Sequence, residues 1–515
     1  MQQKTHKTLY SNHSWIGIIS GILLFVVTFS GIPALFEAEI AHWQTPNNPV
    51  FKSDFQDLDR AMVVAQSEGF DHTSFFIQPA NEIDGNIYFA HFFEDKSPAD
   101  IIKVDPNTYS VLPPATSDLA ELLAHLHTDL HIPNPWGRYL VGLSGMAMLL
   151  AIIAGIFIHL KWRKEFVTLR PKRSWRLLLT DQHKILGLWS LPFTFILAFS
   201  GTILGLLGLI SPILAVAAFN GDVAKATEAV LGPEAVLTQE FVPSQSINRL
   251  SIQQKEDMPD MNTSLIFVDG LNDKGGFIKF SGNHTSKLSN IESITYNFAS
   301  GETVHSGTFI GKGPFQRIFA SVTPLHYVQY GNTWLKVIYA LSALAVCGLI
   351  ITGNMLWLER RRKELGATKK SHWLGQLTLG ACGGLVVATA LTIAASQVLR
   401  GFSFGAQQIN IEVYLFWGSW LIGIFLPFIF KDSFKLSHLM IRLTGSLFLL
   451  TVIADGAING RWVWQSQDWV LNIQCGLIAC ALLCFYLDFK LPKEQQVKSK
   501  KTEDTLDSDL SENYS

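Results

Sequence analysis

The chain has 515 residues, of which 48% are hydrophobic and 16% charged, where a soluble domain carries about 25% charge. Lipid is therefore part of its solvent, and a net charge of −2 offers no bulk attraction to nucleic acid. The five cysteines, Cys347, Cys382, Cys475, Cys480 and Cys484, lie in apolar runs without a CxxC pair, which leaves a disulfide framework and a zinc knuckle unsupported.

A membrane-crossing helix needs about 20 mostly apolar residues. Such runs lie near 14–36, 138–160, 184–210, 333–358, 373–396, 412–430, 437–456 and 468–488. The expected class is a mainly α, polytopic membrane protein with about eight transmembrane helices. The first run is too long for the core of a cleaved signal peptide, and no small-x-small cleavage site follows it. Basic residues set the expected orientation. The stretch 161–184 holds eight of them and 359–370 holds six, against four basic and sixteen acidic residues in 37–136. Segments 37–136 and 211–332 are therefore expected outside, both termini in the cytoplasm, and the charged tail 491–515 disordered.

The resulting order is a first helix (1–36), an outer module (37–136), helices two and three with their basic loop (137–210), a second outer module (211–332), a fourth helix (333–358) and helices five to eight (359–490). Both outer segments read as small α+β modules. Residues 58–69 suit a short helix, and 74–78, 86–92 and the runs within 263–281 alternate like strands. Residues 293–304 resemble a closing hairpin.

The first 353 residues contain an internal repeat. His13 and Gly17 precede Phe29-Ser30-Gly31, and His183 and Gly187 precede Phe199-Ser200-Gly201, with identical spacing. His127 stands 28 residues before Gly155, and His326 stands 27 before Gly353. The unit of span, outer module, histidine and span occurs twice in parallel, an arrangement that commonly places a site at the repeat interface.

Polar groups near the bilayer are costly and usually functional. His13 and His183 fall at the cytoplasmic ends of spans one and three, His127 and His326 near the outer ends of spans two and four. A histidine above small residues on one helix face leaves a slot for a flat group such as haem, which takes an imidazole on each side of its iron. His13 with His183, and His127 with His326, are the expected axial pairs. His159, at the depth of His13, is a third inner candidate, and His125 and His131 flank His127 as outer alternatives. The remaining histidines read as surface or interfacial. Trp15, Trp43, Trp136, Trp162, Trp334 and Trp357 read as interfacial anchors, and Asp455 as an interfacial carboxylate.

These residues resemble the PepSY-associated transmembrane family, described as iron-regulated bacterial membrane proteins. The matching pieces are His13-x-Trp15-Ile-Gly17 with Ser30-Gly31, Leu126-His127-x-x-Leu130 before Gly137-Arg138-Tyr139, Gly155-Ile-Phe-Ile-His159, Phe166-x-x-x-Arg170-Pro171, His183-x-x-x-Gly187-Leu-Trp189 with Pro192, and Pro324-Leu325-His326 with Thr352-Gly353. The likeness covers about residues 5–362. It implies two PepSY-like periplasmic modules and an inner-membrane oxidoreductase holding two haem b groups on His13, His127, His183 and His326. His159 matches a histidine of one subgroup only. It further implies a ferric siderophore or other ferric chelate as substrate. A reduced flavin, a partner reductase or a quinol is then the electron donor. No GxGxxG turn follows a strand, so a nicotinamide site within this chain is not expected. The rival readings are a haem-free transporter of a siderophore or small solute, and a PepSY-type regulatory membrane protein.

Overall fold

The computed structural model describes residues 3–490 apart from 45–54, 82–83, 94–98, 114–116, 160–161, 163–165, 171–173, 223–227, 229–231, 285–287, 289–290, 309–312, 366–368, 403, 406, 431 and 466–467. The charged tail expected at 491–515 and five basic residues of the 161–184 loop (Lys161, Arg163, Lys164, Lys172, Arg173) lie outside the described residues. In chain order the helices are α1 (Gln3–Ala34), α2 (Glu37–Gln44), α3 (Leu58–Ser67), α4 (Leu119–Thr128), α5 (Trp136–Ile158), α6 (Trp175–Phe219), α7 (Ile247–Asp257), α8 (Pro314–Tyr327), α9 (Thr333–Leu365), α10 (Lys369–Thr378), α11 (Gly384–Leu399), α12 (Gln407–Ile429), α13 (Ser433–Asn459) and α14 (Asp468–Lys490). The strands are β1 (Phe75–Gln78), β2 (Ile87–His91), β3 (Asp100–Val104), β4 (Met261–Asp269), β5 (Phe277–His284), β6 (Ile291–Asn297) and β7 (Thr303–Thr308).

Among the described residues, eight helices are long and apolar enough to cross a membrane, and they coincide with the eight expected runs. The protein is a multi-pass membrane protein. Its spans meet through small residues, as expected where lipid is as apolar as a neighbouring helix. A β-carbon at Gly205 of α6 would lie 2.6 Å from the Cα of Gly142 on α5. Gly384 of α11 and Gly423 of α12 approach just as closely. A π-helical turn, Leu379–Gly383, joins α10 to α11 within span five. There the indole of Trp420 donates to the carbonyl of Ala381 at 3.0 Å, so the irregular turn keeps its backbone satisfied.

The chain divides into two compact units. One comprises Met1–Gln44, Thr116–Gly205 and Thr333–Ser515, the other Thr45–Ala115 and Leu206–Asn332. The second unit holds one seven-stranded antiparallel sheet in the order β3-β2-β1-β4-β5-β6-β7. The two α+β modules thus share a sheet, joined where β1 pairs with β4 (Phe76 opposite Phe267). Each module is a helix followed by a meander. Leu58, Ala61, Met62 and Ala65 of α3 and Ile247 and Leu250 of α7 bury one face of that sheet.

The two module helices cap one another. Asp57 accepts from the Arg60 amide and Ser246 from the Arg249 amide, each within its own helix. Crosswise, Asn248 Oδ1 accepts from the Leu58 amide at 2.8 Å and Asp59 Oδ1 from the Ile247 amide at 2.7 Å. Asn248 Nδ2 also donates to Asp57 at 2.7 Å, and Ser246 Oγ donates to Asp59. The first amides of a helix have no intrahelical partner, and here each helix supplies the missing acceptors of the other. Replacing either Asp59 or Asn248 by alanine is expected to cost about 1 kcal/mol and to lower the melting transition of the sheet unit by about 2–4 °C. In the double variant the losses should be non-additive. A thermal scan of the full-length protein checks this, and strict additivity would refute the reciprocal cap.

Candidate functional site

The site is built where α1, α4, α5, α6 and α9 carry or receive histidines. His13 sits on α1 and points at α5, its Nδ1 at 2.9 Å from the carbonyl oxygen of Ala151. A β-carbon at Gly155, four residues on, would lie 3.4 Å from His13 Cε1. His183 on α6 repeats this against α9. Its Nδ1 is 3.0 Å from the Leu349 carbonyl oxygen and 3.3 Å from Thr352 Oγ1. A β-carbon at Gly353, again four residues on, would lie 3.0 Å from His183 Cε1. His127 uses the same device on α1: Nδ1 is 2.7 Å from the Val27 carbonyl oxygen, and a β-carbon at Gly31 would lie 2.9 Å from Cε1.

A carbonyl only accepts, so Nδ1 carries the proton in each of the three rings. That leaves Nε2 as the unprotonated ring nitrogen, the atom through which an imidazole binds a metal. Metal-ligating histidines characteristically donate their other ring N–H to such a partner. Burial pushes the imidazole of His127 below its ordinary value, against the opposing bond from Val27, and so favours the neutral ring a metal requires.

His13 and His183 are brought together, with ring centres 6.2 Å apart and ring planes at 77°. Two imidazoles on opposite sides of one metal, each bonded at about 2.0 Å with roughly 1.1 Å more from nitrogen to ring centre, place their centres about 6.2 Å apart. The pair therefore fits the spacing of an axial pair on a haem iron. A β-carbon at Gly17, one turn along α1 from His13, would meet nothing within 4 Å, so the helix face beside the pair is open. Among the described residues no group of three or more His, Cys, Asp or Glu is set to hold a bare ion. An iron inside a macrocycle needs only two protein ligands.

The other expected positions distribute as follows. His159 is the C-cap of α5, one turn beyond Gly155, its amide donating to the Gly155 carbonyl at 3.1 Å. His326 lies on α8 in the second unit, half-buried, with its ring 5.6 Å from that of Tyr327. His131 does not share a helix face with His127, because α4 ends at Thr128 and His131 sits in a turn at φ 54°. Its Nε2 donates to the Leu122 carbonyl at 2.8 Å. His125 binds the Asp129 carboxylate at 2.7 Å. Burial works against its charge, but the bonds to Asp129 and Glu121 raise its pKa overall.

Three expectations need correction. Gly187 does not leave the expected slot beside His183, since a β-carbon there would lie 3.3 Å from Leu349 Cδ1, whereas Gly17 does leave open space beside His13. The glycines that make room are Gly155, Gly353 and Gly31, on the receiving helices. Trp43 is no interfacial anchor: it is 1% exposed and its indole donates to Asp455 at 2.9 Å. Asp455 is itself fully buried and paired with Arg461 at 2.7 Å. Sequence reasoning also missed α4. Its signal was present, since Leu119, Leu122, Leu123 and Leu126 form the apolar stripe of a surface helix.

The glycine seats differ measurably from the open glycine. Gly353→Val drives atoms into His183 and is expected to cost about 1–3 kcal/mol. Gly17→Ala should be neutral or stabilising by up to about 1 kcal/mol. Thermal unfolding of the two purified variants distinguishes them, and equal effects would contradict the geometry.

The PepSY-associated TM region matches residues 10–360 of the chain. An uncharacterized Pseudomonas aeruginosa protein, PA4219, is 27% identical over 378 residues, which is 70% of this chain and 92% of that one. The match spans all five histidine positions (13, 127, 159, 183 and 326) and both outer modules, and the chain belongs to the PepSY-associated transmembrane family.

Proposed function

We propose that the protein is a haem b-containing transmembrane electron-transfer protein of the bacterial inner membrane, with both termini in the cytoplasm. It reduces a ferric siderophore or another ferric chelate on the periplasmic side and so releases iron as Fe(II). The observation that carries this reading is the His13–His183 pair, 6.2 Å apart with both Nδ1 atoms held by backbone carbonyls. Those two residues would hold the inner haem. His127 on its α1 seat would hold the outer one. A haem bound there supplies one-electron chemistry between Fe(III) and Fe(II).

The chain's own residues do the rest. The Ala151, Leu349 and Val27 carbonyls lock three rings in one tautomer and orientation, so no ring must reorganise when charge changes. Gly17 keeps open the space beside His13. The apolar walls around His127, Phe25 and Val26 of α1 and Leu123 and Leu126 of α4, exclude water and lower the local dielectric. The electron donor belongs to one of three chemical classes: a reduced flavin, a partner reductase or a quinol.

An optical spectrum of detergent-purified protein, oxidised and then dithionite-reduced, with a pyridine haemochrome count, tests the proposal. A b-type spectrum at about two haems per chain is expected. His13→Ala and His183→Ala should each remove the same haem, with no further loss in the double variant. His127→Ala should remove the other. Gly17→Phe, which fills the open face of α1, should also remove the inner haem while leaving the fold intact. A colourless preparation from haem-replete cells would rule the reading out.

A further inference from the structure

Spans five to eight lie beyond residue 360, where the family match ends. A continuous set of buried polar contacts ties one end of them to the segments around His127. α2 ends at Trp43 and Gln44, which are 1% and 3% exposed. Arg400, just past α11, donates to the carbonyls of both residues. Arg461, just past α13, donates to the Trp43 carbonyl at 3.0 Å. Two guanidinium groups thus rest on the C-terminal carbonyls of α2, where the helix dipole is negative. Asp455 pairs with Arg461 and also accepts from Asn459 at 2.8 Å, from Gln474 at 2.7 Å and from the Trp43 indole.

From α2 the contacts pass to α4. Gln44 Nε2 donates to Ser117 Oγ at 2.9 Å, and Ser117 Oγ donates to Glu412 Oε2 at 2.8 Å. Glu412 is 1% exposed, and its other oxygen accepts from Gln408 at 2.7 Å. Ser117 stands two residues before α4. Leu119, Leu122, Leu123 and Leu126 of α4 then pack in one cluster with Phe416 of α12, Leu385 and Ala388 of α11, and Phe25 and Val26 of α1. The helix that carries His127 is therefore held between its seat on α1 and spans five and six.

Burying an acid and several amides in a bundle is unfavourable unless they are paired, and apolar packing would often serve stability as well. We infer that spans five to eight are a positioning device for His127, with Glu412 and Ser117 as the positioning residues that fix α4 against the Val27–Gly31 seat. The inference deepens the proposed function and rests on it for what His127 carries, though not for how His127 is held.

The test uses the full-length protein in detergent with three variants: Glu412→Leu, Glu412→Gln and Ser117→Ala. The readouts are amide hydrogen exchange by mass spectrometry and the haem spectrum. In Glu412→Leu and Ser117→Ala, exchange over 119–128 should rise about tenfold, the loss of one buried bond to a charged group, while peptides around His183 stay at wild-type rates. The haem signal removed by His127→Ala should shift, and the signal removed by His183→Ala should not. Glu412→Gln keeps an amide oxygen for Ser117 and gives up the one that accepts from Gln408, so it should restore most of both readouts. If Glu412→Leu does not fold, Ser117→Ala deletes one hydroxyl and reports the same quantity. Wild-type exchange over 119–128 in Ser117→Ala overturns the inference. A colourless protein with accelerated α4 exchange upholds the positioning role and removes the haem reading. A coloured protein with unmoved α4 does the reverse.

Discussion

The arrangement of the membrane unit depends on one local interaction, a histidine Nδ1–H donated into the flank of a neighbouring helix. A helical carbonyl already accepts from the amide four residues on, but it has a second lone pair. The side chain at that fourth residue normally screens it. Where that residue is glycine the screen is absent and an imidazole can reach the oxygen. Ala151 with Gly155, Leu349 with Gly353, and Val27 with Gly31 are three instances of the same solution. Each instance satisfies a polar ring, brings two helices close together and sets the direction of Nε2. Packing, polar satisfaction and ligand geometry therefore follow from a single residue choice on the receiving helix.

That economy suits a bilayer. Between helices in lipid no hydrophobic term distinguishes a protein neighbour from an acyl chain, so close backbone approach and hydrogen bonds decide the pairing. The glycine contacts Gly142 to Gly205 and Gly384 to Gly423 supply close approach without polarity. The histidine seats supply both. The cluster around Asp455 shows the costlier alternative. There an acid and glutamine side chains are buried beneath two half-buried arginines, and leaving the acid unpaired would cost several kcal/mol.

What the sequence makes legible follows from the range of the interactions. The eight spans are legible because each is a continuous apolar run and length alone identifies it. The helix at 58 and most strands are legible from local periodicity. Strand β3 is not, because only Val104 of its five residues is buried and it forms an edge, so its alternation is weak. The joining of β1 to β4 is not legible either, since Phe76 and Phe267 lie far apart in the chain and any strand could have been the partner. The histidines declare themselves through the repeat. Their carbonyl partners do not, because a backbone oxygen has no residue identity and leaves only a glycine four positions later as its trace. Asp455 reads as an ordinary interfacial acid because one of its donors, Trp43, is 412 residues away.

The same geometry fixes a distance. His13 is carried by α1, and the seat of His127 occupies Val27 to Gly31 of the same helix. Fourteen to eighteen residues at about 1.5 Å each separate the two positions by roughly 21–27 Å, close to the hydrocarbon thickness of about 30 Å. That separation is set by the covalent rise of one helix and not by the packing of several. Loop motion or bundle breathing would change which atoms surround each histidine far more readily than it would change the spacing between them. A helix that both presents one histidine and receives another can act as the ruler of the membrane unit. The two ends can then differ in environment, the second enclosed by α2, α4 and spans five to eight, without altering the span between the two histidine positions.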